Sequence, residues 1–385
     1  MANIFDYLTW RGDISLKEDP FNEVDSLVLA WLSYVNLDDV MPGGICNQTM
    51  TIEEAGRTFF EQNDLEERLK GFSLTKTSAL LFHELIRCPR FSQMKIMNYV
   101  NHISEELQQQ FSAMTIEVDK DTLYVAFRGT DDTIVGWRED FNMSFLPIVP
   151  SQTEAAAYLV ESVKNRPEKL ILGGHSKGGN LAVYAAIHAP QEIKDRIIRV
   201  YNNDGPGFLH NVLDSEEYKE MLPRIKTIVP ESSIVGMLLG HEEEYEIVRS
   251  TQKGIMQHDA GSWEIIRNEF VYLDSLSNSS KFLNHSFKKW VSGLDEEQRK
   301  VFVDGLFQML EAAGAKTTGE LYASGWKSVS SAIKAFSGMD LEMKQNLMLI
   351  TKSLFEIINQ NMKVALRISK APRIGMSATD QINNK

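Results

Sequence analysis

Cysteine is scarce in this chain. Only Cys46 and Cys88 occur in 385 residues, which excludes a disulfide scaffold and a cysteine-rich zinc site. No apolar run reaches the ~18 residues that crossing a bilayer takes. The opening segment, MANIFDYLTWRGD, carries Asp6 and Arg11 where a signal peptide would need an uninterrupted apolar stretch. Positive charge is in deficit, with 40 lysines and arginines against 53 acidic residues and a net charge of −13. Such a chain repels phosphate backbones and anionic lipid, so neither a nucleic-acid partner nor stable membrane insertion is expected. Internal repeats and low-complexity tracts are also missing. What remains is a soluble, cytoplasmic chain whose 43% hydrophobic and 24% charged residues exclude a disordered one. Its length predicts one large domain with an appendage.

The apolar patterning changes along the chain. Helical periodicity opens at Asn22 (NEVDSLVLAWLSYV) and returns over 51–62 and 78–88. The first clear sheet signal is FSAMTIEVDKDTLYVAFRGT, a hairpin with Asp119-Lys120-Asp121 at its tip. Beyond the helical stretch TEAAAYLVESVKN, strands and helices alternate. The strand Lys169 to Leu172 precedes the helix NLAVYAAIHA. The strand IIRVY, a helix around LDSEEYKEML and the strands RIKTIV and YEIVRS follow, and an amphipathic stretch, SWEIIRNEFVYL, reads as the next helix. Strands alternating with helices of this length predict crossover connections and a mostly parallel α/β sheet. Residues 1–290 are expected to form this domain. Residues 291–372 show helical periodicity alone, in three segments, and predict an all-helical bundle docked on it. Residues 373–385 read as a flexible tail.

Within LILGGHSKGGNLAVYAA lies Gly174-His175-Ser176-Lys177-Gly178, a G-x-S-x-G pattern between an apolar strand and an alanine-rich helix. A serine in such a turn takes a strained conformation, and small residues two before and two after it relieve the crowding. The turn puts Ser176 at a helix N-terminus, where unpaired N–H groups and the helix dipole favour developing negative charge. Neither a P-loop lysine pattern nor G-x-G-x-x-G is present, which speaks against a phosphate cradle.

The segment GHSKGGNLA resembles the GHSLGGALA elbow of the lipase class 3 branch of α/β-hydrolases. Upstream, LYVAFRGTDDTIVGWREDF resembles the "VVAFRGT…W..D" segment of the same branch. Over the whole chain the similarity is greatest to a bacterial lipase-like subgroup of unassigned substrate. The resemblance covers about residues 110–270 and implies an α/β-hydrolase fold. It also implies an oxyanion hole made by Thr130, which follows FRG, and by the N–H of Lys177, which follows the nucleophile. Arg128, Asp131, Trp137 and Asp140 also fit the pattern and read as structural, with Asp140 a partner for Arg128.

In this fold the chain order is nucleophile, acid, histidine, with the histidine on the loop after the last strand. His188 lies three turns down the elbow helix, and His285 sits in a polar stretch. His210 follows the turn NDGPGF, and His241 precedes Glu242-Glu243-Glu244, read as a solvated charge run. His258, in GIMQHDAGSW, is the expected base. His175 reads as structural, its side chain pointing off the elbow. In the lipase branch the acid is an Asp after the strand that matches RIKTIV, but Ser233 falls at that place here. Two carboxylates remain: Asp204, in YNNDGPGF at the carboxyl end of the preceding strand, and Glu231. Asp204 is placed first.

The expected function is a serine hydrolase acting on small-molecule carboxylic esters, lipid-derived ones included, through an acyl-enzyme on Ser176. No metal or organic cofactor is implied, and the oligomeric state is not legible. The apolar stretch Ile234 to Leu239 is a candidate acyl pocket or lid. The alternative is a catalytically idle α/β-hydrolase scaffold that binds a ligand or a protein partner, a reading favoured by the missing acid at position 233.

Overall fold

The computed structural model describes residues 1–46, 48–62, 73–131, 133–143, 146–237, 239–312 and 333–370. Four helices, α1 (Ile4–Arg11), α2 (Glu23–Leu32), α3 (Ile52–Gln62) and α4 (Ser73–Leu85), surround one short strand, β1 (Thr49–Thr51). The sheet continues with β2 (Lys95–Ser104), β3 (Gln109–Asp119) and β4 (Thr122–Phe127), joined as antiparallel neighbours. Helices α5 (Ile134–Asn142) and α6 (Pro150–Ser162) then lead into β5 (Lys169–His175) and α7 (Lys177–His188). After the short α8 (Gln191–Lys194) come β6 (Ile197–Asn203), α9 (His210–Leu213), α10 (Glu216–Met221), β7 (Ile225–Pro230) and β8 (Tyr245–Val248).

From β4 to β8 every neighbouring pair is parallel. The short β11 (Tyr272–Leu273) closes the far edge, antiparallel to β8. The nine strands therefore form a mixed sheet, β1-β2-β3-β4-β5-β6-β7-β8-β11, parallel in only half of its pairings. The expected mostly parallel sheet is correct for the segment that carries the elbow and incorrect for the half before it. The residues 262–273, read as helical, instead form β9 (Ile265–Ile266), β10 (Glu269–Phe270) and β11. Arg267 has a φ of 59° there, which turns the chain back between β9 and β10.

Both faces of the sheet are buried, and alternate side chains divide between them. Leu123, Val125 and Phe127 of β4 pack with α6, α7 and α10, whereas Tyr124 and Ala126 pack with the N-terminal helices. The N-terminal helices thus supply much of one side of the core. Asn22 caps α2 and bonds the N–H of Asp25, whose buried carboxylate pairs with Arg90 and accepts from the Tyr7 hydroxyl at 2.7 Å. The N-terminal segment also clasps the far edge of the sheet. The Ala2 carbonyl accepts from the Ile265 N–H, and Glu23 accepts from the Phe270 N–H and the Tyr272 hydroxyl.

Downstream lie α11 (Asn278–Ser292), α12 (Glu296–Ala312) and α13 (Leu341–Lys370). Helices α11 and α12 pack on α13, and α12 packs on α5. Most of the second helix expected in this region, over 317–336, and the expected tail, 373–385, lie outside the described residues. Among the described residues no helix is long and apolar enough to cross a membrane.

Candidate active site

Strand β5 runs straight into the elbow. Ser176 adopts φ 57° and ψ −134°, a conformation that L-residues disfavour, and α7 starts at the next residue. The turn is held by close approach at two glycines. A Cβ on Gly174 would stand 2.2 Å from the main chain of Gly178, and one on Gly178 would stand 2.1 Å from the Phe127 carbonyl oxygen. The end of β4 therefore lies directly on the elbow.

Ser176 Oγ is 2.9 Å from His258 Nε2, and His258 Nδ1 is 2.6 Å from Asp204 Oδ2. The three residues come from the turns after β5, β6 and β8. Asp204 is wholly buried with φ 52°, and its Oδ1 accepts from the Ser233 hydroxyl at 2.5 Å and the Gly236 N–H at 3.1 Å. Ser233, standing where the lipase pattern has its Asp, is thus a donor to Asp204. Glu231 makes main-chain bonds to Val248 and Ser277 and, among the described residues, no side-chain bond to His258. The loop carrying His258 is a pair of short 3₁₀ turns, Gly254–His258 and Ala260–Ser262, rather than the start of a helix.

His175 lies beside this loop. Its Nδ1 takes the Tyr34 hydroxyl at 3.0 Å, its Nε2 meets the His258 carbonyl at 2.8 Å, and its ring lies 4.6 Å from the His258 ring. Burial, with His258 adding to it, pushes the His175 imidazole well below its ordinary value. A neutral ring with Nε2–H fits these partners: it accepts from Tyr34 and donates to the loop that carries His258. Nothing in the sequence marked Tyr34, just past the end of α2, as a neighbour of the elbow.

Thr130 and Lys177 are the two residues expected to supply the oxyanion donors. Neither the Thr130 nor the Lys177 amide has an acceptor among the described residues, and the main chain of 127–129 packs on Gly178. The Thr130 hydroxyl donates to Asp140 Oδ2. Arg128 binds Asp131 at 3.2 Å and Asn101 at 2.9 Å, so the expected Arg128–Asp140 pair is not formed. Burial pushes the Asp140 carboxyl up to about 6, against the opposing pull of Lys177 and Thr130.

Lys177 departs from the lipase elbow, which has leucine at that place. Its side chain is buried, and Nζ donates to the Gln110 carbonyl (2.9 Å), Gln110 Oε1 (3.0 Å) and Glu139 Oε2 (2.9 Å), which satisfies all three protons. Glu139, equally buried, accepts further from the Gln110 and Ser151 amides and from the Ser151 hydroxyl. This network joins β3, α5, α6 and the first residue of α7.

A cavity of about 270 Å³ opens on Ser176. The candidate apolar segment contributes Ile234, Val235 and Leu239 to its wall, and α11, α12 and the turn between them contribute more. Helices α11 and α12 therefore border the cavity at Ser176.

A second buried network supports the turn that holds Asp204. Glu243 is buried rather than solvated. It accepts from the Thr227 hydroxyl at 2.6 Å, from Tyr218 and from His241 Nδ1 at 3.0 Å, while His241 Nε2 bonds the Gly236 carbonyl at 2.7 Å. Burial works to raise the Glu243 carboxyl, but the hydrogen bond and charge of His241, with Thr227 and Tyr218, outweigh it and hold it down at about 2. An ordinary glutamate takes its proton near 4.5. This one therefore contributes stability that is complete above that pH and is lost as pH falls towards 2. Glu243→Gln is expected to lower the unfolding free energy at pH 7 by about 2–3 kcal/mol and to flatten its decline below pH 4.5. Urea denaturation across pH reads both, and an unchanged acid slope in the variant would dismiss this carboxylate as its source.

A family model described as Mbeg1-like matches residues 85–308. No curated protein matches the chain. Among solved structures, similarity is found to the Rhizomucor miehei lipase propeptide complex, at 20% identity and TM-score 0.34, over 44% of this chain and 60% of that one. M37 lipase matches at 16% identity and TM-score 0.35, over 55% and 68%. A fungal lipase–inhibitor complex matches at 18% and 0.33, over 43% and 70%.

Proposed function

We propose that this chain, which belongs to the Mbeg1-like family, is a serine hydrolase of the lipase class 3 kind that cleaves carboxylic esters through an acyl-enzyme on Ser176. The observation that carries the reading is the unbroken hydrogen-bond chain from Ser176 Oγ through both ring nitrogens of His258 to Asp204, set on a strained elbow. His258 Nε2 takes the Ser176 proton as Oγ attacks the ester carbonyl carbon. Asp204, already fixed by Ser233 and Gly236, holds the Nδ1–H and stabilises the imidazolium. The negative charge on the carbonyl oxygen is met by the N–H groups of Thr130 and Lys177 at the head of α7. Collapse breaks the C–O bond, and His258 returns its proton to the departing alcohol. Water, deprotonated by His258, then attacks the acyl carbon and releases the acid and free Ser176.

The idle-scaffold alternative drew on Ser233 standing where an acid was expected. The Asp204 carboxylate on His258 supports the hydrolase reading over it.

A fluorophosphonate probe, which phosphonylates an activated serine, tests the proposal without knowledge of the substrate. Wild-type protein is expected to label, Ser176→Ala to show no labelling, and His258→Ala to label about 10²–10⁴-fold more slowly. A folded wild-type protein that does not react, or a His258→Ala variant that reacts at the wild-type rate, would overturn it.

A further inference from the structure

The cavity at Ser176 has a composition that narrows the substrate. Resting on the serine-hydrolase reading, we propose that α11 and α12 complete an acyl-binding chamber and that the substrate carries a single medium-length hydrocarbon chain on its acyl side. One side of the chamber is formed by Trp137 and Phe141 of α5 with Ile234, Val235 and Leu239. The other is formed by Trp290, Leu294, Phe302 and Val303, all from α11, α12 and the turn between them.

The lining holds few polar groups, and each is engaged by the protein at least in part, although Asp140 Oδ1 has no hydrogen-bond partner among the described residues. Asp140 holds the Thr130 hydroxyl, Lys177 Nζ is saturated by Gln110 and Glu139, and Arg299 Nε donates to the Leu294 carbonyl at 3.0 Å. The surface left for a ligand beside Ser176 is mostly hydrocarbon. A sugar or peptide would lose most of its hydrogen bonds to water there without replacement, whereas an alkyl chain gains from leaving water.

The far wall is held in place from behind. Trp290 Nε1 donates to the Ile350 carbonyl and to Ser353 Oγ at 3.2 and 3.1 Å, and its ring stands edge-on to Phe302 at 5.2 Å. Helix α12 is tied to α5 by Arg138–Asp304 at 2.7 Å and by the rings of Phe141 and Phe307 at 5.7 Å. The chamber is therefore formed before any ligand enters, and binding needs no ordering of its wall.

Volume sets the length. At about 30 Å³ for each water-sized group, 270 Å³ holds roughly nine such groups, which corresponds to an acyl chain of about eight to ten carbons. The acyl side is assigned because that part stays bonded to Ser176 until water removes it, while the alcohol has to leave after the first step.

The test uses the full chain and p-nitrophenyl esters from acetate to palmitate, with an ethyl fluorophosphonate as a chain-independent control. For wild type, kcat/KM is expected to rise about threefold to fourfold per added methylene up to about eight to ten carbons and then to fall. Phe302→Ala enlarges the chamber and shifts the optimum to longer chains. Leu294→Trp fills it and shifts the optimum to shorter ones. Opposite shifts cannot come from a general loss of folding, and labelling by the small probe should survive in both variants. A labelled wild type that prefers acetate or shows no length dependence would overturn the chamber while leaving the nucleophile intact. An optimum unmoved in both labelled variants would remove α11 and α12 from it. Failure of wild type to label at all would strike the hydrolase reading itself.

Discussion

Replacing Asp204 by asparagine is expected to slow probe labelling and ester turnover by about 10⁴-fold in a protein that still folds, while Glu231→Gln stays within about a factor of two of wild type. The reason is the fixed orientation of the carboxylate. Oδ1 is held by two donors, the Ser233 hydroxyl and the Gly236 amide, so an asparagine keeps its carbonyl oxygen there and turns its NH₂ towards His258. Nδ1 must then accept, the ring proton moves to Nε2, and Nε2 can no longer take the proton of Ser176. Turnover by each variant, with folding checked by circular dichroism, decides the matter. A folded Asp204→Asn protein working at nearly the wild-type rate would remove the residue from the mechanism, and a selective loss in Glu231→Gln would move the role there.

The second large effect is on stability, at Lys177. Lys177→Met takes away one member of a buried ion pair and leaves the Glu139 carboxylate without its cation, a change that costs about 3–5 kcal/mol. Adding Glu139→Gln removes the stranded charge, but the single carbonyl oxygen of the glutamine can accept from only one of the Ser151 and Gln110 amides, which bond different oxygens of Glu139. The double variant should therefore recover part of the loss and not all of it. Urea unfolding of both proteins measures this. A single variant that loses less than about 1 kcal/mol would mean that the pair contributes little beyond filling space.

The parts of the molecule legible from sequence are those whose signals are local. The elbow carries its own turn chemistry at Gly174 and Gly178, and each strand from β4 to β8 is a short apolar run bounded by breakers. Asp204 stands out in the sequence because it ends a strand at the carboxyl edge of the parallel segment. Strand β2 escaped because KIMNYVNHIS mixes polar and apolar residues around Asn98, whose φ of 53° interrupts its register with β3. The run SWEIIRNEFVYL has its apolar residues at spacings that suit a helix as well as a hairpin, and only the reversal at Arg267 separates the two. Glu243 looked solvated among three consecutive glutamates, since the donors that bury it, Tyr218 and Thr227, lie 25 and 16 residues away. The approach of α11 and α12 to Ser176 depends on long-range packing, and helical periodicity shows only that each has an apolar face.

The clasp between the first residues and the strands after β8 bears on how the protein is made. Ala2 and Glu23 find their partners at Ile265, Phe270 and Tyr272, about 250 residues later. A ribosome adding roughly 5–20 residues per second needs on the order of 10–50 s to deliver those partners. Through that interval the apolar side of α2, with Val24, Leu27, Val28 and Trp31, has no finished sheet to cover it. Contacts this distant in sequence also make for slow closure once the chain is free. The emerging polypeptide accordingly keeps this hydrocarbon exposed until its last strands are made.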